Sequence, residues 1–599
     1  MQKQEALIEY INMNSSILIV VFVHLWLFTT LGFGECRESV CIPSERETLI
    51  KFKDHLIDRS NRLLSWNNST SNSNCCHWPG VLCHNLTSHV LHLHLNTSPD
   101  AFDDDYVGWD EEAYERWSFG GEISPCLADL KHLNYLDLSG NELLGKGMAI
   151  PSFLGTMTSL THLNLSDAGF KKIPPQIGNL SKLRYLDLRG NYFLGEGMAI
   201  PSFLGTMTSL THLDLSYTGF MGNIPSQIGN LSNLVYLDLG GNYLFAENVD
   251  WLSSMSKLEY LDLNHVNLSK SFHWLHTLQS LPSLTDLCLS GCTLPRYNEP
   301  SFVNFSSLLT LDLSYTGFMG NIPSQIGNLS KLRYLDLSFN YLLGEIPSFL
   351  GTMTSLTHLD LSDSEFTGNI PSQIGNLSNL VYLGLGSYFL GQPLFAENVD
   401  WLSSMSKLEY LDLSYANLSK SFHWLHTLQS LPSLTDLRLS YCTLPRYNEP
   451  SFVNFSSLHT LFLYRTSYSP AISFVPKWIF KLKKLLSLQL PFNEIQGPIP
   501  GGLRNLTLLQ NLDLSFNSFS YSIPDWLYGL HHLKFLNLRS NNLHGTISNA
   551  LGNLTSLVHL DLSANQLEGT IPTSLGSLCN TREIHLSANQ LEGTIPTSL

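Results

Sequence analysis

Three histidines near the amino end are the first residues whose spacing suggests chemistry. His92 and His94 are two apart, with His89 just before them. Residues two apart on a strand share a face, so this pair offers an edge that zinc could use. The plainer assignment, the outward face of a first strand Leu91-His92-Leu93-His94-Leu95, is preferred. His162, His212 and His358 are copies of one outward slot. A second pattern is acidic. Asp fills one recurring position, at 137, 187, 214, 238, 262, 312, 336, 360, 412, 513 and 561. On stacked parallel strands these carboxylates would form a column able to draw a basic ligand. Inheritance of a copied consensus explains the column equally without function. Acid–base catalysis does not follow, because the copies are alike and none has a distinct partner. The sequence has no phosphate-binding Gly-Lys-Ser/Thr loop, kinase motif, His-Glu-x-x-His pair or nucleophile elbow. The expectation is a binding protein without enzymatic activity, cofactor or metal.

The recurring slots are broken in one window. Between Leu383 and Leu490 the Asp position reads Gly384, Asp412, Arg438, Phe462 and Gln489. Outward slots beside it hold Tyr382, Tyr410, Tyr415, Tyr441, Tyr464, Arg465 and Phe492. The block Leu244–Leu308 is repeated almost verbatim as Leu394–Leu458, yet Arg438 stands where the other copy has Cys288, and Tyr441 where it has Gly291. Tyr and Arg are enriched at binding hot spots. Tyr382, Tyr410, Arg438, Tyr441, Phe462, Tyr464 and Arg465 are therefore the candidate ligand-binding residues; drift after duplication is the competing explanation. Residues 97–121 form a second break, an acidic insertion with eight carboxylates among Tyr106, Trp109, Tyr114 and Trp117. It is expected to be a loop, either functional or simply solvated.

The elements that would position these residues come from a repeat. Its core is L-x-x-L-x-L-x-x-N, as in Leu133, Leu136, Leu138 and Asn141, and it recurs nineteen times in steps of 23 to 28 residues. Leucines two apart on a strand point to one side, and one short strand cannot bury them alone. Stacked copies make a continuous leucine core behind a parallel sheet. The Asn that follows each strand can donate to carbonyls of the adjacent turn. Cys292 and Cys442 take that slot in two copies, as small core thiols. The other half of the repeat reads G-x-I-P-x-x-L/I-G-x-L, as at Gly222-Asn223-Ile224-Pro225. Proline there excludes long helices and predicts short strands or 3₁₀ turns.

The amino end predicts secretion. Ile17–Phe28 is apolar apart from His24, and small residues follow at Gly32 and Gly34, so 1–34 reads as a signal peptide, an uncleaved anchor being the competing reading. Five of the ten cysteines fall between Cys36 and Cys83, as in a disulfide module of an oxidising compartment. Fifteen Asn-x-Ser/Thr sequons follow; Asn85, Asn179, Asn230, Asn328, Asn376 and Asn553 are the glycosylation candidates. The formal charge of −17 makes nucleic acid an unlikely partner, although solubility alone accounts for such a charge.

With these motifs assembled, the sequence resembles plant cell-surface leucine-rich-repeat proteins, specifically the receptor-like proteins. The most specific match lies in Cys41-Ile-Pro-Ser-Glu-Arg-Glu-Thr-Leu, Leu64-Ser65-Trp66 and Cys75-Cys76-His77-Trp78-Pro79-Gly80-Val81-Leu82-Cys83. The resemblance implies a plant-type cap at 35–88 and a right-handed leucine-rich-repeat solenoid at 89–599, with a curved parallel sheet on its concave face. It implies disulfides Cys41–Cys75 and Cys76–Cys83. It also implies an extracellular peptide, protein or glycan ligand, a receptor-like kinase as co-receptor, and a defence role at the cell surface or in the apoplast. A secreted inhibitor of microbial wall-degrading enzymes, similar to the polygalacturonase inhibitors, is the alternative; a developmental peptide receptor is a third. The chain stops at Leu599 inside a repeat, without a second cysteine cap, membrane span or kinase domain, which predicts a fragment.

Overall fold

The computed structural model describes residues 40–67, 74–97, 103–104, 108–109, 111–193, 199–295, 305, 307–387, 393–445, 455–469 and 474–597. The expected signal peptide, Cys36 and parts of the acidic insertion lie outside these residues. Two compact units are formed, 1–220 and 221–599.

In the first unit the helix Pro43–Asp54 starts at a proline, where a missing N–H costs nothing, and buries Leu49 and Phe52. The disulfides Cys41–Cys75 and Cys76–Cys83 are both present. Trp66 and Trp78 stack at 5.4 Å between them. The short strand Val81–Cys83 runs antiparallel to Val90–His94 and covers the first edge of the sheet. From Val90–His94 onward the pairing is parallel and in register, Leu93 opposite Leu136, then Leu163, Leu186 and Leu213.

The second unit repeats the arrangement from Tyr236–Asp238 to Glu583–His585, each strand three residues long and paired parallel with the next. The two leucines of each L-x-L core from Leu237 to Leu562 face inward and are almost wholly buried, as Leu335 and Leu337 are. Each buried leucine contributes roughly 1.5–3 kcal/mol, so the core is a sum of many equal layers. The returning half-repeat is a 3₁₀ turn such as Ser324–Asn328 or Ser372–Asn376, as proline predicts. Where the G-x-I-P motif is replaced by WLHTLQ, short α-helices form instead, at Trp274–Gln279 and Trp424–Gln429.

The Asn slot performs as expected. Asn340 Nδ2 donates to Leu313 O, Leu337 O and Ser338 O at 2.8–3.1 Å, while its Oδ1 accepts from Phe318 N at 2.9 Å. Each such amide therefore ties its own turn to the preceding repeat. Cys292 Sγ donates to Leu263 O at 2.9 Å and Cys442 Sγ to Leu413 O at 3.0 Å, so both thiols substitute for one Asn bond. Burial pushes both thiols well above their ordinary range, which keeps them protonated donors.

The acidic insertion is more than a loop. Glu111–Trp117 is a short helix, and Asp103–Asp104 pairs antiparallel with Gly108–Trp109. Tyr114 donates its hydroxyl to Gly140 O at 2.7 Å, and Phe119 N donates to Asn141 Oδ1 at 2.8 Å. The buried aromatic and the Asn ladder dock the end of the segment onto the first repeats, which composition alone does not reveal.

Candidate functional site

The outward face of the sheet has two slots per strand, the residue before the first core leucine and the residue between the two. The first slot builds a stack of rings. Tyr135, His162, Tyr185 and His212 lie face to face at 3.9–4.1 Å in the first unit. Tyr334, His358, Tyr382 and Tyr410 do the same at 4.0–4.2 Å in the second. Parallel register sets residues of one slot side by side, so flat rings on successive strands stack. Burial pushes His358 and His212 down to about 3 and His162 to about 4, so these imidazoles are neutral members of the stack.

The second slot holds the acidic column, and here the structure corrects the sequence reading. The carboxylates are in register, Asp312 opposite Asp336 and Asp336 opposite Asp360. They are not an open surface for a basic ligand. Asp187 and Asp214 are only 5% and 4% exposed. Every one of the eleven accepts a backbone N–H from the residue two positions on, at 2.7–3.0 Å, as Ser338 N does to Asp336. Neighbouring rings lie across them, and tyrosine hydroxyls reach down, Tyr382 Oη to Asp360 Oδ2 at 3.0 Å. These aspartates close the turn after each strand. Burial, with Asp360 and Asp312 beside it, pushes Asp336 up to about 7. Burial and Asp214 push Asp187 up as well.

The histidine edge at the first strand does not converge. His94 Nδ1 sits 3.1 Å from Asp137 Oδ2, His92 lies against Tyr135 at 5.0 Å, and His89 Nδ1 pairs with Glu45 Oε1 at 2.9 Å. The preferred strand-face assignment is what the structure shows. Burial pushes His92 down, while the Asp137 hydrogen bond raises His94.

The seven candidate ligand-binding residues fall together on adjacent strands of the second unit. Gly384, Asp412, Arg438, Phe462 and Gln489 are consecutive partners in register. The column of aspartates is thus interrupted, first by the small Gly384 and then by a cation and a ring. Arg438 Cζ lies 5.2 Å from the Tyr410 ring centre and 4.7 Å from that of Phe462. Tyr382 stacks on Tyr410 at 4.2 Å. A guanidinium held flat between two rings presents fixed donors with little entropy left to lose.

Tyr441, Tyr464 and Arg465 form a second layer at the turn after the strand. Tyr415 stacks on Tyr441 at 4.3 Å, Tyr441 is 5.0 Å from Tyr464, and Arg465 Cζ is 5.8 Å from Tyr441. The file continues through Phe492 at 5.1 Å and Phe516 at 4.1 Å. Tyr415, Tyr441, Phe492 and Phe516 all have φ between +52° and +67°, a region that bulky residues rarely adopt. Large rings at strained positions stand in line along one edge, and of the four Phe516 lies beyond the residues picked out from the sequence. The available signal was the residue immediately before the Asn slot, which is Gly in several copies and aromatic at 217, 315, 339, 415, 441, 492 and 516.

The six glycosylation candidates all lie exposed. Asn179, Asn230, Asn328, Asn376 and Asn553 each end a 3₁₀ turn, away from the sheet's outward face. Among the described residues two histidine–carboxylate groups bring their donor atoms within 4.8 Å of one another: Asp336, His358 and Asp360, and His559, Glu583 and His585. No helix among the described residues is long and apolar enough to cross a membrane.

Comparison with known proteins agrees with this architecture. The chain is similar to the tomato (Solanum lycopersicum) "Receptor-like protein EIX1", 34% identical over 153 residues, which are 25% of this chain and 14% of that protein. The matched part is thus a small share of the relative's length. The solved ectodomain of the Arabidopsis thaliana membrane receptor kinase GASSHO1/SCHENGEN3, in complex with CASPARIAN STRIP INTEGRITY FACTOR 2, is 26% identical with a TM-score of 0.56, covering 93% of this chain and 74% of that one. The Arabidopsis receptor kinase HAESA, solved with the peptide hormone IDA and the co-receptor SERK1, is 27% identical with a TM-score of 0.54, covering 93% and 95%. A leucine-rich repeat N-terminal domain model matches residues 42–84, and single leucine-rich repeats match 508–530, 532–554 and 556–578. The leucine-rich repeat region model matches 122–313 and 288–454, more than half of the sequence, and with the leucine core, the Asn ladder and the parallel register it places this chain in the leucine-rich-repeat family.

Proposed function

We propose that this chain is the recognition part of a plant receptor-like protein. It reads an extracellular peptide or protein ligand with the sheet face from Tyr382 to Phe516 and signals in defence through a partner receptor kinase. The observation that carries the reading is the interruption of the aspartate column. At Arg438 and Phe462 a ladder built to satisfy its own turns is replaced by a ring-clamped cation and an aromatic file. Those groups serve no turn, and they are the kinds that dominate protein interfaces. Two further points support a ligand outside the cell. The cap carries two disulfides, which persist in oxidising compartments. The similar receptor ectodomains of known structure were solved with peptide ligands, one of them with a co-receptor. A binding role without catalysis fits the stacked, neutral His162, His212 and His358 and the carboxylates that close turns.

The test is a random-peptide display library panned on the purified, secreted chain. Peptides enriched on the wild type should lose at least tenfold in affinity on the Arg438→Ala/Phe462→Ala/Tyr464→Ala variant. They should keep it on a Tyr243→Ala control, which removes a more exposed ring elsewhere. Enriched peptides that bind the triple variant unchanged would place recognition on another surface.

A further inference from the structure

The structure assigns a divalent-metal site of the zinc class to His559, Glu583 and His585 on the outward sheet face. Parallel register sets His559 opposite Glu583 and Asp561 opposite His585. Glu583 Oε2 lies 2.9 Å from His559 Nδ1 and 3.6 Å from His585 Nε2. One donor atom from each of the three residues falls within 4.8 Å of the others. A tetrahedral zinc with bonds near 2.0–2.1 Å holds its ligand atoms roughly 3.3 Å apart. The two measured separations bracket that value, so the only adjustment is to draw the two imidazoles together.

The groups are built to allow it. The His559 ring is fixed against Phe535, stacked at 4.6 Å, and its side chain is 23% exposed. Phe535 thus presets one ligand, and register carries the other two to the adjacent strand beside it. Two imidazoles and a carboxylate suit zinc and leave a fourth position open to water or to a group of a bound partner. In the metal-free chain the same residues are in contact, and the His559 hydrogen bond holds Glu583 below the usual carboxylate range.

The repeat history isolates these side chains. The tract LSANQLEGTIPTSL occurs twice without change, at 562–575 and again at 586–599. The strands in front of the two copies differ throughout: Val558-His559-Leu560-Asp561 against Arg582-Glu583-Ile584-His585. The outward pair His, Asp in one copy has become Glu, His in the next. Stacking the two places two histidines around one glutamate, a set that a faithful copy would not contain.

The experiment titrates the metal-free secreted chain with Zn²⁺ by calorimetry and with Co²⁺ by visible absorption. His559→Phe imitates Phe535 in the same slot, and His585→Gln imitates Gln489. The wild type should take up one metal equivalent that each variant binds at least tenfold more weakly, with the tetrahedral cobalt bands lost. Circular dichroism monitors folding, and His585→Gln sets in this slot a residue that the array already carries at Gln489, so it isolates the site even if His559→Phe unfolds. The Asp336–His358–Asp360 group is unchanged in both variants and drops out of the comparison. Binding by His585→Gln as tight as that of the wild type overturns the assignment, as does a wild type without saturable uptake.

Discussion

At the scale of single residues, the aspartate column shows how a surface pattern becomes a buried constraint. A carboxyl whose folded-state affinity for protons is raised binds more protons folded than unfolded across the interval between its two values. Stability then falls as pH rises from about 4, where the unfolded carboxyl ionises, to about 7, the value reached by Asp336. Above that interval the penalty is constant; below it the penalty vanishes. Asp187 contributes in the same direction through burial and Asp214. Asp187→Asn is expected to keep the turn, because Asn164 in the same slot of the adjacent strand already accepts Ser166 N at 3.0 Å. Its thermal midpoint should therefore drop less than that of the wild type between pH 5 and pH 7.5. An identical drop in both proteins, measured by differential scanning calorimetry, would show that Asp187 ionises freely in the fold. The Asn ladder gives a second residue-scale expectation. Asn340→Ala orphans Phe318 N and takes one donor each from Leu313 O and Leu337 O, and at about 1–3 kcal/mol for an unsatisfied group away from water the loss should be at least about 1 kcal/mol. Urea unfolding monitored at the second unit checks it.

At the scale of elements, each layer is stabilised by its neighbours and by little else. Opening the cap should therefore loosen the layers beside it and leave distant ones intact. Reducing Cys41–Cys75, which closes a 34-residue separation, removes a constraint of about 3–4 kcal/mol. Hydrogen exchange is expected to accelerate in the helix Pro43–Asp54 and the strand Val90–His94 while amides around Leu335 and Leu359 keep their protection. Uniform acceleration along the chain would mean that the array unfolds as one cooperative body. The elements themselves were legible in sequence because the repeat states them directly. Leucine spacing gave the strands, proline gave the 3₁₀ turns, and the Asn slot gave the ladder. What escaped was contact between layers. The burial of Asp187 depends on Tyr185 and His212 lying over the strands, and the docking of Tyr114 depends on the Gly140 carbonyl. Neither follows from a one-dimensional pattern. The candidate site was half legible: the break at Arg438 and Phe462 stood out, whereas Phe516 and the His559–Glu583–His585 group became visible only once register had put separate repeats side by side.

At the scale of the molecule, the second unit divides its two surfaces between different tasks. Sequons at Asn230, Asn328, Asn376 and Asn553 end 3₁₀ turns, in the half of each repeat that returns from the sheet. Glycans on that side leave the sheet face clear, which is what a recognition surface requires. A glycan moved across should block it. Arg465→Asn, followed by Thr466 and Ser467, completes an Asn-x-Ser sequon at an exposed residue with φ of +46°, a conformation that Asn adopts more readily than Arg. The variant is expected to be secreted, to gain the mass of one glycan, and to lose the panned peptides by at least tenfold. Replacing Asn328 and Asn376 with Gln should remove two glycans and leave peptide affinity within twofold. Arg465→Asn protein made without glycosylation separates the bulk of the sugar from the loss of the guanidinium over Tyr441. If the glycosylated variant binds as the wild type does, the ligand does not pass over this edge, and the file from Tyr415 to Phe516 is structural.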